Sequence, residues 1–206
     1  MPAKFSLKIA MVPALAATLA LGACASPTGP VQVTHFNAPD KTALLGKGSI
    51  AVVVSPTMGP DAAGSLEMAS YRAAVARELV RLGYAEAPAG QGSQVAEIRV
   101  RRGTVEAIRE GGPVSVGVGG STGSYGSGVG LGVGINLSGK PKDTVMTELG
   151  VVIRDRSDGR PLWEGRAEFG VKENSPLANT QLAAPRLAEA LFSKFPGESG
   201  ETFEVK

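Results

Sequence analysis

Between residues 144 and 171 the chain reads TVMTELGVVIRDRSDGRPLWEGRAEFGV, two apolar runs hinged on a turn. Val145, Leu149, Val151 and Ile153 mark a strand from Thr144 to Arg154, and Leu162 to Val171 forms its partner. Ser157-Asp158-Gly159-Arg160 supplies the turn, because Asp-Gly tolerates the positive φ that a tight hairpin requires. A short hairpin can only join antiparallel strands, so this stretch commits the fold to an antiparallel sheet.

Working outward, the run Ser49-Ile50-Ala51-Val52-Val53-Val54 stops at Pro56 and has the nearly continuous apolar pattern of a strand buried on both faces. Leu66 to Leu82 has helical spacing, with Ala69, Ala73, Ala76 and Val80 on one stripe, Val75, Leu79 and Leu82 beside it, and Gly83 at the expected stop. Arg72, Arg77 and Arg81 fall near the opposite side, where a solvated face fits better than an anion grip. Val95 to Ile108 alternates Val95, Ile98, Val100 and Val105 with Glu97, Arg99 and Arg101, the pattern of a strand with one wet face. A last helix is expected from Gln181 to Phe195, with Pro185 tolerated only near its first turn and Pro196-Gly197 ending it. The order β-α-β, then hairpins, then α predicts an α+β fold: a mostly antiparallel sheet packed by two helices, with residues 49–206 as a single domain.

Residues 111–139 interrupt this order with 12 glycines in 29 residues and no charge. Val114, Val116 and Val118, then Val129, Leu131, Val133, Ile135 and Leu137, recur with period two, and Gly130, Gly132 and Gly134 fill the second run. The spacing predicts a β-hairpin with aliphatic residues on one face and bare backbone on the other, turning through Ser121 to Ser127 around Tyr125. Glycine weakens an isolated strand, so another surface is expected to pack on this hairpin. It would be its own domain, a protein partner or second copy, or a membrane. The candidate contact residues are Val116, Val118, Tyr125, Val129, Leu131 and Val133.

The N-terminal residues read as a targeting segment. Lys4 and Lys8 precede a 13-residue apolar run, Ile9 to Leu21, interrupted by Pro13. That is short of the ~20 residues that span a bilayer. Leu21-Gly22-Ala23-Cys24 then resembles the bacterial lipobox. On this reading residues 1–23 are a signal peptide, Cys24 carries diacylglycerol and an acylated amine, and residues 24–48 are a tether with a short strand at Val31 to Phe36. Each buried methylene contributes roughly 0.8 kcal/mol, so several acyl chains give durable membrane attachment. Ala25 rather than Asp after the Cys favours an outer-membrane destination facing the periplasm. Removing the two lysines of residues 1–23 leaves 19 basic against 19 acidic residues, so the basic balance of the whole chain says nothing for nucleic-acid binding.

Chemistry is sparsely represented. One Cys and one His exclude a disulfide framework, a multi-Cys zinc site and paired-His metal motifs. Gly119-Gly120-Ser121-Thr122-Gly123 spells a nucleophile elbow, but a Gly-rich strand follows it and the sole His35 lies upstream in the tether, where it reads as solvated. Gly134 to Lys140 nearly spells a P-loop, but Pro141 stands where a Mg²⁺-binding hydroxyl is needed. Asp143, Glu148, Asp155, Asp158, Glu164 and Glu168 contain the letters for a glycosidase carboxylate pair, with turn acids the plainer reading. Trp163 reads as a core or rim aromatic rather than a sugar platform.

Leu149-Gly-Val-Val-Ile-Arg-Asp155, Gly159-Arg-Pro-Leu-Trp163-Glu-Gly165-Arg-Ala and Phe195-Pro-Gly-Glu-Ser-Gly-Glu201 resemble the lipoproteins of Gram-negative bacteria that carry domain of unknown function 4136. The resemblance covers Phe36 to the C-terminus. It implies an envelope lipoprotein of α+β fold, with Trp163 anchoring the hairpin core and Gly165 admitting a neighbour, and it implies no reaction or cofactor. The expected function is a non-catalytic outer-membrane binding or scaffolding module, tied to the membrane at Cys24. A ring-forming secretion or pore component is the alternative, and an envelope hydrolase using Ser121 the remote one.

Overall fold

The computed structural model describes residues 29–106, 114–123, 126–135 and 142–206. Its elements are β1 (Val31–Asn37), β2 (Ser49–Val54), α1 (Leu66–Arg81), β3 (Ala85–Glu86), β4 (Gln94–Val105), β5 (Val114–Gly123), β6 (Gly126–Ile135), β7 (Thr144–Asp155), β8 (Pro161–Lys172), α2 (Thr180–Phe192) and β9 (Thr202–Val205). Seven strands form one sheet in the order β3-β2-β4-β7-β8-β1-β9, and β5 with β6 form a second. The β2-α1 crossover makes β2 parallel to β3 and to β4, while every other pairing is antiparallel. The result is the expected α+β fold with two helices on a largely antiparallel, mixed sheet.

Alternation sets the two faces of the large sheet. Ala96, Ile98 and Val100 of β4, Leu149, Val151 and Ile153 of β7, and Ala167 and Phe169 of β8 are buried on the side that carries both helices. α1 starts at Ser65, whose hydroxyl accepts from the Met68 amide at 3.1 Å, and its last turn gives way to Gly83 at φ +102°. Its buried residues are Met68, Tyr71, Ala74, Val75, Ala76 and Leu79. Of the alanine stripe Ala76 is buried, whereas Ala69 and Ala73 are exposed and Val80 is 48% exposed; Val75 and Leu79 of the neighbouring stripe are buried. Burial energy scales with apolar area, so Met68, Tyr71, Val75 and Leu79 outweigh the two exposed alanines.

α2 begins one residue earlier than expected, with Asn179 accepting from the Gln181 amide at 2.9 Å, and ends at Phe192 rather than Phe195. Pro185 sits inside the helix, past the first turn. Arg102 joins the starts of the two helices, donating to Thr180 Oγ1 (3.1 Å) and the Ala178 carbonyl and lying 3.6 Å from Glu67.

The segment read as a tether differs most. β1 lies between β8 and β9 with Val31 and Val33 buried, so from Val31 onward the chain belongs to the sheet. Leu45 is buried too. The expected signal peptide, Cys24 and the residues up to 28 lie outside the described residues.

Candidate functional site: the glycine-rich ribbon and the open sheet face

β5 and β6 pair from Val114 with Ile135 to Gly123 with Gly126, so pairing continues past the expected loop boundaries at Ser121 and Ser127. In each pair the two residue numbers add to 249. The same holds for β4 with β7, from Gln94 with Asp155 to Val105 with Thr144. Eight residues on each arm separate the ladders. The two ladders therefore share one numbering register, although they belong to separate sheets.

Register also carries the hydrophobic pattern along the ribbon. In the body the even-numbered residues of β4 and the odd-numbered residues of β7 face the helices. In β5 and β6 the same parities hold Val114, Val116 and Val118 opposite Ile135, Val133 and Leu131, with Val129 opposite Gly120. The other parities hold only Gly and Ser: Ser115 opposite Gly134, Gly117 opposite Gly132, Gly119 opposite Gly130, Ser121 opposite Gly128, and Gly123 opposite Gly126. Five of the six candidate contact residues are thus placed in register. Tyr125 lies outside the described residues, as does Cys24.

At the base of the ribbon Met146 pairs with Gly103 on one side and Gly170 on the other. A β-carbon on Gly170 would stand 2.6 Å from Met146 Sδ, so the glycine makes room for the thioether. Gly29 lies at this same end of the sheet, its β-carbon position 3.4 Å from the Gly170 carbonyl oxygen. Val105, the last residue of β4, is 57% exposed.

The sheet face opposite the helices is an interleaved array of charge. Arg99, Gly150, Arg166 and Thr34 form one cross-strand row, flanked by Glu97, Val152, Glu164 and Phe36 and by Arg101, Glu148, Glu168 and Gln32. Arg99 lies over the bare Gly150, 3.6 Å from Glu164 and 4.0 Å from Glu148; Arg166 meets Glu164 at 3.1 Å and Arg154 meets Glu97 at 3.3 Å. This is a water-facing antiparallel surface whose charges answer one another.

His35 is buried, not solvated in a tether. Its Nε2 lies 2.8 Å from the Leu191 carbonyl oxygen, which can only accept, so the neutral ring carries its proton there. Nδ1 has no hydrogen-bond partner. The ring sits between Trp163 (5.3 Å) and Phe203 (5.2 Å), and this burial lowers its pKa from the ordinary 6.5, against the raising effects of the Leu191 carbonyl and Glu201. Trp163 stacks on Phe192 and donates Nε1–H to the Pro196 carbonyl at 2.8 Å. The loop from Pro196 to Glu201 is clamped onto β1: Asn37 donates to the Gly197 carbonyl, the Gly200 amide to the His35 carbonyl, and the His35 amide to the Glu201 carbonyl. The motif Phe195 to Glu201 thus seats β9 against β1, a strand too short for the sequence pattern to announce.

The letters of catalytic motifs are dispersed. Ser121 lies inside β5 opposite Gly128, without the strand-to-helix elbow, and His35 is locked in the core. Glu148, Glu164 and Glu168 belong to the charged face. Asp155 accepts from Ser157 Oγ and the Ser157 amide, which hold its carboxyl below the usual range, and Asp158 pairs with Lys41 at 3.5 Å. Gly134 and Ile135 of the P-loop-like stretch are in β6, and residues 136–141 lie outside the described residues. Arg72, Arg77 and Arg81 are exposed, Arg81 pairing with Glu78 at 2.6 Å. Among the described residues no group of three His, Cys, Asp or Glu side chains is placed to hold a metal ion, and no helix is long and apolar enough to cross a membrane.

An uncharacterized protein of Zymomonas mobilis subsp. mobilis is 44% identical over 62 residues, 30% of this chain and 23% of that protein, so the match spans under a quarter of the relative's length. Among solved structures, a PDZ domain protein from Parabacteroides distasonis superposes with a TM-score of 0.47 at 11% identity, covering 86% of this chain and 39% of the other. A PelC dodecamer from Paraburkholderia phytofirmans gives a TM-score of 0.39 at 16% identity, covering 77% and 91%. The family profile Domain of unknown function (DUF4136) matches residues 40–197, from the turn after β1 to the loop that leads into β9. With more than half of its length inside that match, the chain belongs to the DUF4136 family.

Proposed function

We propose that the chain is a non-catalytic lipoprotein of the outer membrane, held at Cys24 and facing the periplasm, that works as a binding or scaffolding module through its glycine-rich ribbon. The observation that carries this reading is the common register of the β4–β7 and β5–β6 ladders. The parities that face the helices in β4 and β7 are the ones that carry the aliphatic residues of β5 and β6. Such a ribbon has an apolar surface to offer. The remaining surface of the large sheet, with its paired charges, is suited to water. In-cell photo-crosslinking from position 125 tests the reading: a discrete adduct supports it, and no adduct from the ribbon counts against it.

The ring-forming alternative draws on one feature, the ten-residue length of β5 and β6, which matches the 9–11 residues of a membrane-spanning strand. Two strands cannot close a barrel, so that reading requires large detergent-stable oligomers, and a monomeric extracted protein removes it.

A further inference from the structure

We infer that the aliphatic face of the ribbon rests on the lipid bilayer itself, lying in the interface instead of crossing it; this deepens the reading above and rests on lipidation of Cys24. The argument starts from where the chain's first described residues sit. Gly29 is beside Gly170, in the cross-strand row Gly103, Met146, Gly170 at the end of the sheet from which the ribbon departs. Cys24 is five residues earlier, within at most about 18 Å of chain. Acyl chains on Cys24 would hold the bilayer at this end of the domain, not at the opposite end where the Ser157–Arg160 turn lies. β4 ends and β7 begins at that same end, so the chain leaves for the hairpin and returns from it there.

The ribbon's composition suits lipid better than protein. From Val114 to Ile135 there is no charged residue, whereas a protein interface carries a polar, charged rim. Charges bracket the stretch instead, Arg109 and Glu110 before it, Lys140 and Lys142 after it. Each strand is roughly 33 Å long at ~3.3 Å per residue. One parity carries all the aliphatic residues, giving way to Gly120, Thr122 and Ser127 toward the tip, and the other holds only Gly and Ser, a two-sided surface of the kind that lies in an interface with its apolar side among acyl chains. Orientation in the plane follows from the edges. A two-stranded ribbon leaves the outward N–H and C=O groups of both strands unpaired, which hydrocarbon does not tolerate and headgroups and water do.

The chain's single cysteine makes the test direct. In lipidated protein the Cys24 sulfur is blocked as a thioether, so Val118→Cys, Leu131→Cys, Gly119→Cys or Gly130→Cys each provides one free thiol for an environment-sensitive fluorophore. The full-length protein is reconstituted into phosphatidylethanolamine–phosphatidylglycerol vesicles and quenched either by nitroxide-bearing lipid or by aqueous iodide. The inference predicts quenching with period two: positions 118 and 131 several-fold more by lipid nitroxide, positions 119 and 130 more by iodide. Equal iodide access at all four overturns it. Shielding of 118 and 131 from both quenchers also overturns it, since a protein surface then covers that face. Intact mass reports separately whether Cys24 carries lipid. If it does not, the anchor reading fails, and the same labels on Cys24→Ser protein added to vesicles judge the ribbon alone.

Discussion

The indole of Trp163 occupies the space that a side chain on Gly165 would need: a β-carbon built on Gly165 falls 2.2 Å from Trp163 Cη2 and 2.9 Å from Leu191 Cδ1. The two residues share the helix-facing side of β8, two positions apart, and the missing side chain lets the indole lie flat along the strand under α2. This gives physical content to the Trp-Glu-Gly motif. Gly165→Ala should force the indole off Phe192 and weaken the Nε1–H bond to Pro196. Overpacking of this kind costs typically about 1–3 kcal/mol. Urea unfolding followed by the fluorescence of Trp163, the single tryptophan, should show both the loss and an altered native spectrum. An unchanged midpoint and spectrum would show that this packing does not constrain the core.

Gly150 provides the contrast. A β-carbon there would meet Arg99 Nε at 2.8 Å and Cγ at 3.0 Å, but Arg99 is a long side chain on the open face and can lift away. What it forfeits is its approach to Glu148 and Glu164, both partly solvated, and such pairs contribute about 0.2–1 kcal/mol each. Gly150→Ala should therefore cost at most about 2 kcal/mol with both pairs lost, and less than Gly165→Ala. Equal costs in the same urea series would mean that Arg99 is held as firmly as the core.

His35 predicts a pH dependence with a definite sign. Burial lowers its folded pKa below the ordinary 6.5. As pH falls the unfolded chain takes up a proton first, so stability is complete above about pH 6.5 and declines from there down to the folded pKa. One proton sets a maximum slope of about 1.4 kcal/mol per pH unit. Lys194 faces the ring and opposes protonation, while Glu201 favours it. The carboxyl of Glu201 is held below the usual range, first by the hydrogen bond from Lys194, so its own loss of stability falls at lower pH. Urea midpoints at pH 8, 7, 6 and 5 should fall in the wild type. In His35→Gln, which keeps a donor toward Leu191, they should stay flat from pH 8 to 6. A slope that survives the substitution assigns the effect to another group.

How much of this was legible in the sequence depended on the length and size of what had to be read. β2 was predicted with its observed limits, and the β7–β8 hairpin within a residue or two, because their runs are long and Gly159, at φ +71°, marks the turn by itself. β9 has four residues and no pattern of its own; it exists because the Gly197–Glu201 loop is pinned to β1. A short strand at Val31 to Phe36 was legible, but its place in the sheet was not, because His35 stands where an apolar residue would continue the pattern and its burial depends on an acceptor, the Leu191 carbonyl, 156 residues away. On α1 the alanines marked a helix without marking which stripe is buried, because alanine satisfies periodicity without adding much area. The candidate ribbon was legible as two strands; that its ladder shares the numbering register of β4 with β7 emerges only from the pairing.

Gly197 should show how the C-terminal strand is held. It has φ +72°, and a β-carbon would stand 2.4 Å from His35 Nδ1, so Gly197→Ala is strained in its backbone and meets a buried ring as well. A residue with a side chain in the left-handed region costs about 1–2 kcal/mol on its own. The structure answers most cheaply by releasing the loop and, with it, the pairing of β9 to β1. Amide exchange at Phe203 and Val205 should accelerate far more than exchange at Ile98 or Leu149. Uniform acceleration across the sheet would indicate global destabilisation without local release.

The anchor and the ribbon make separable predictions in cells. Cys24→Ser should abolish lipid labelling and shift the protein from the membrane to the soluble fraction, while thermal unfolding of the domain stays put, since the sheet begins only at Val31. Deleting residues 113–137 should leave lipid labelling and membrane fractionation intact, because they depend on the N-terminus. The fold should survive too, as β5 and β6 pair with each other and not with the seven-stranded sheet. What the deletion should remove is whatever contact the ribbon makes, read as loss of co-purifying partners or of lipid crosslinks. If the deletion leaves every such contact in place, the ribbon is not the working surface. If it unfolds the domain, the ribbon belongs to the core of the fold and its aliphatic face is already covered from within.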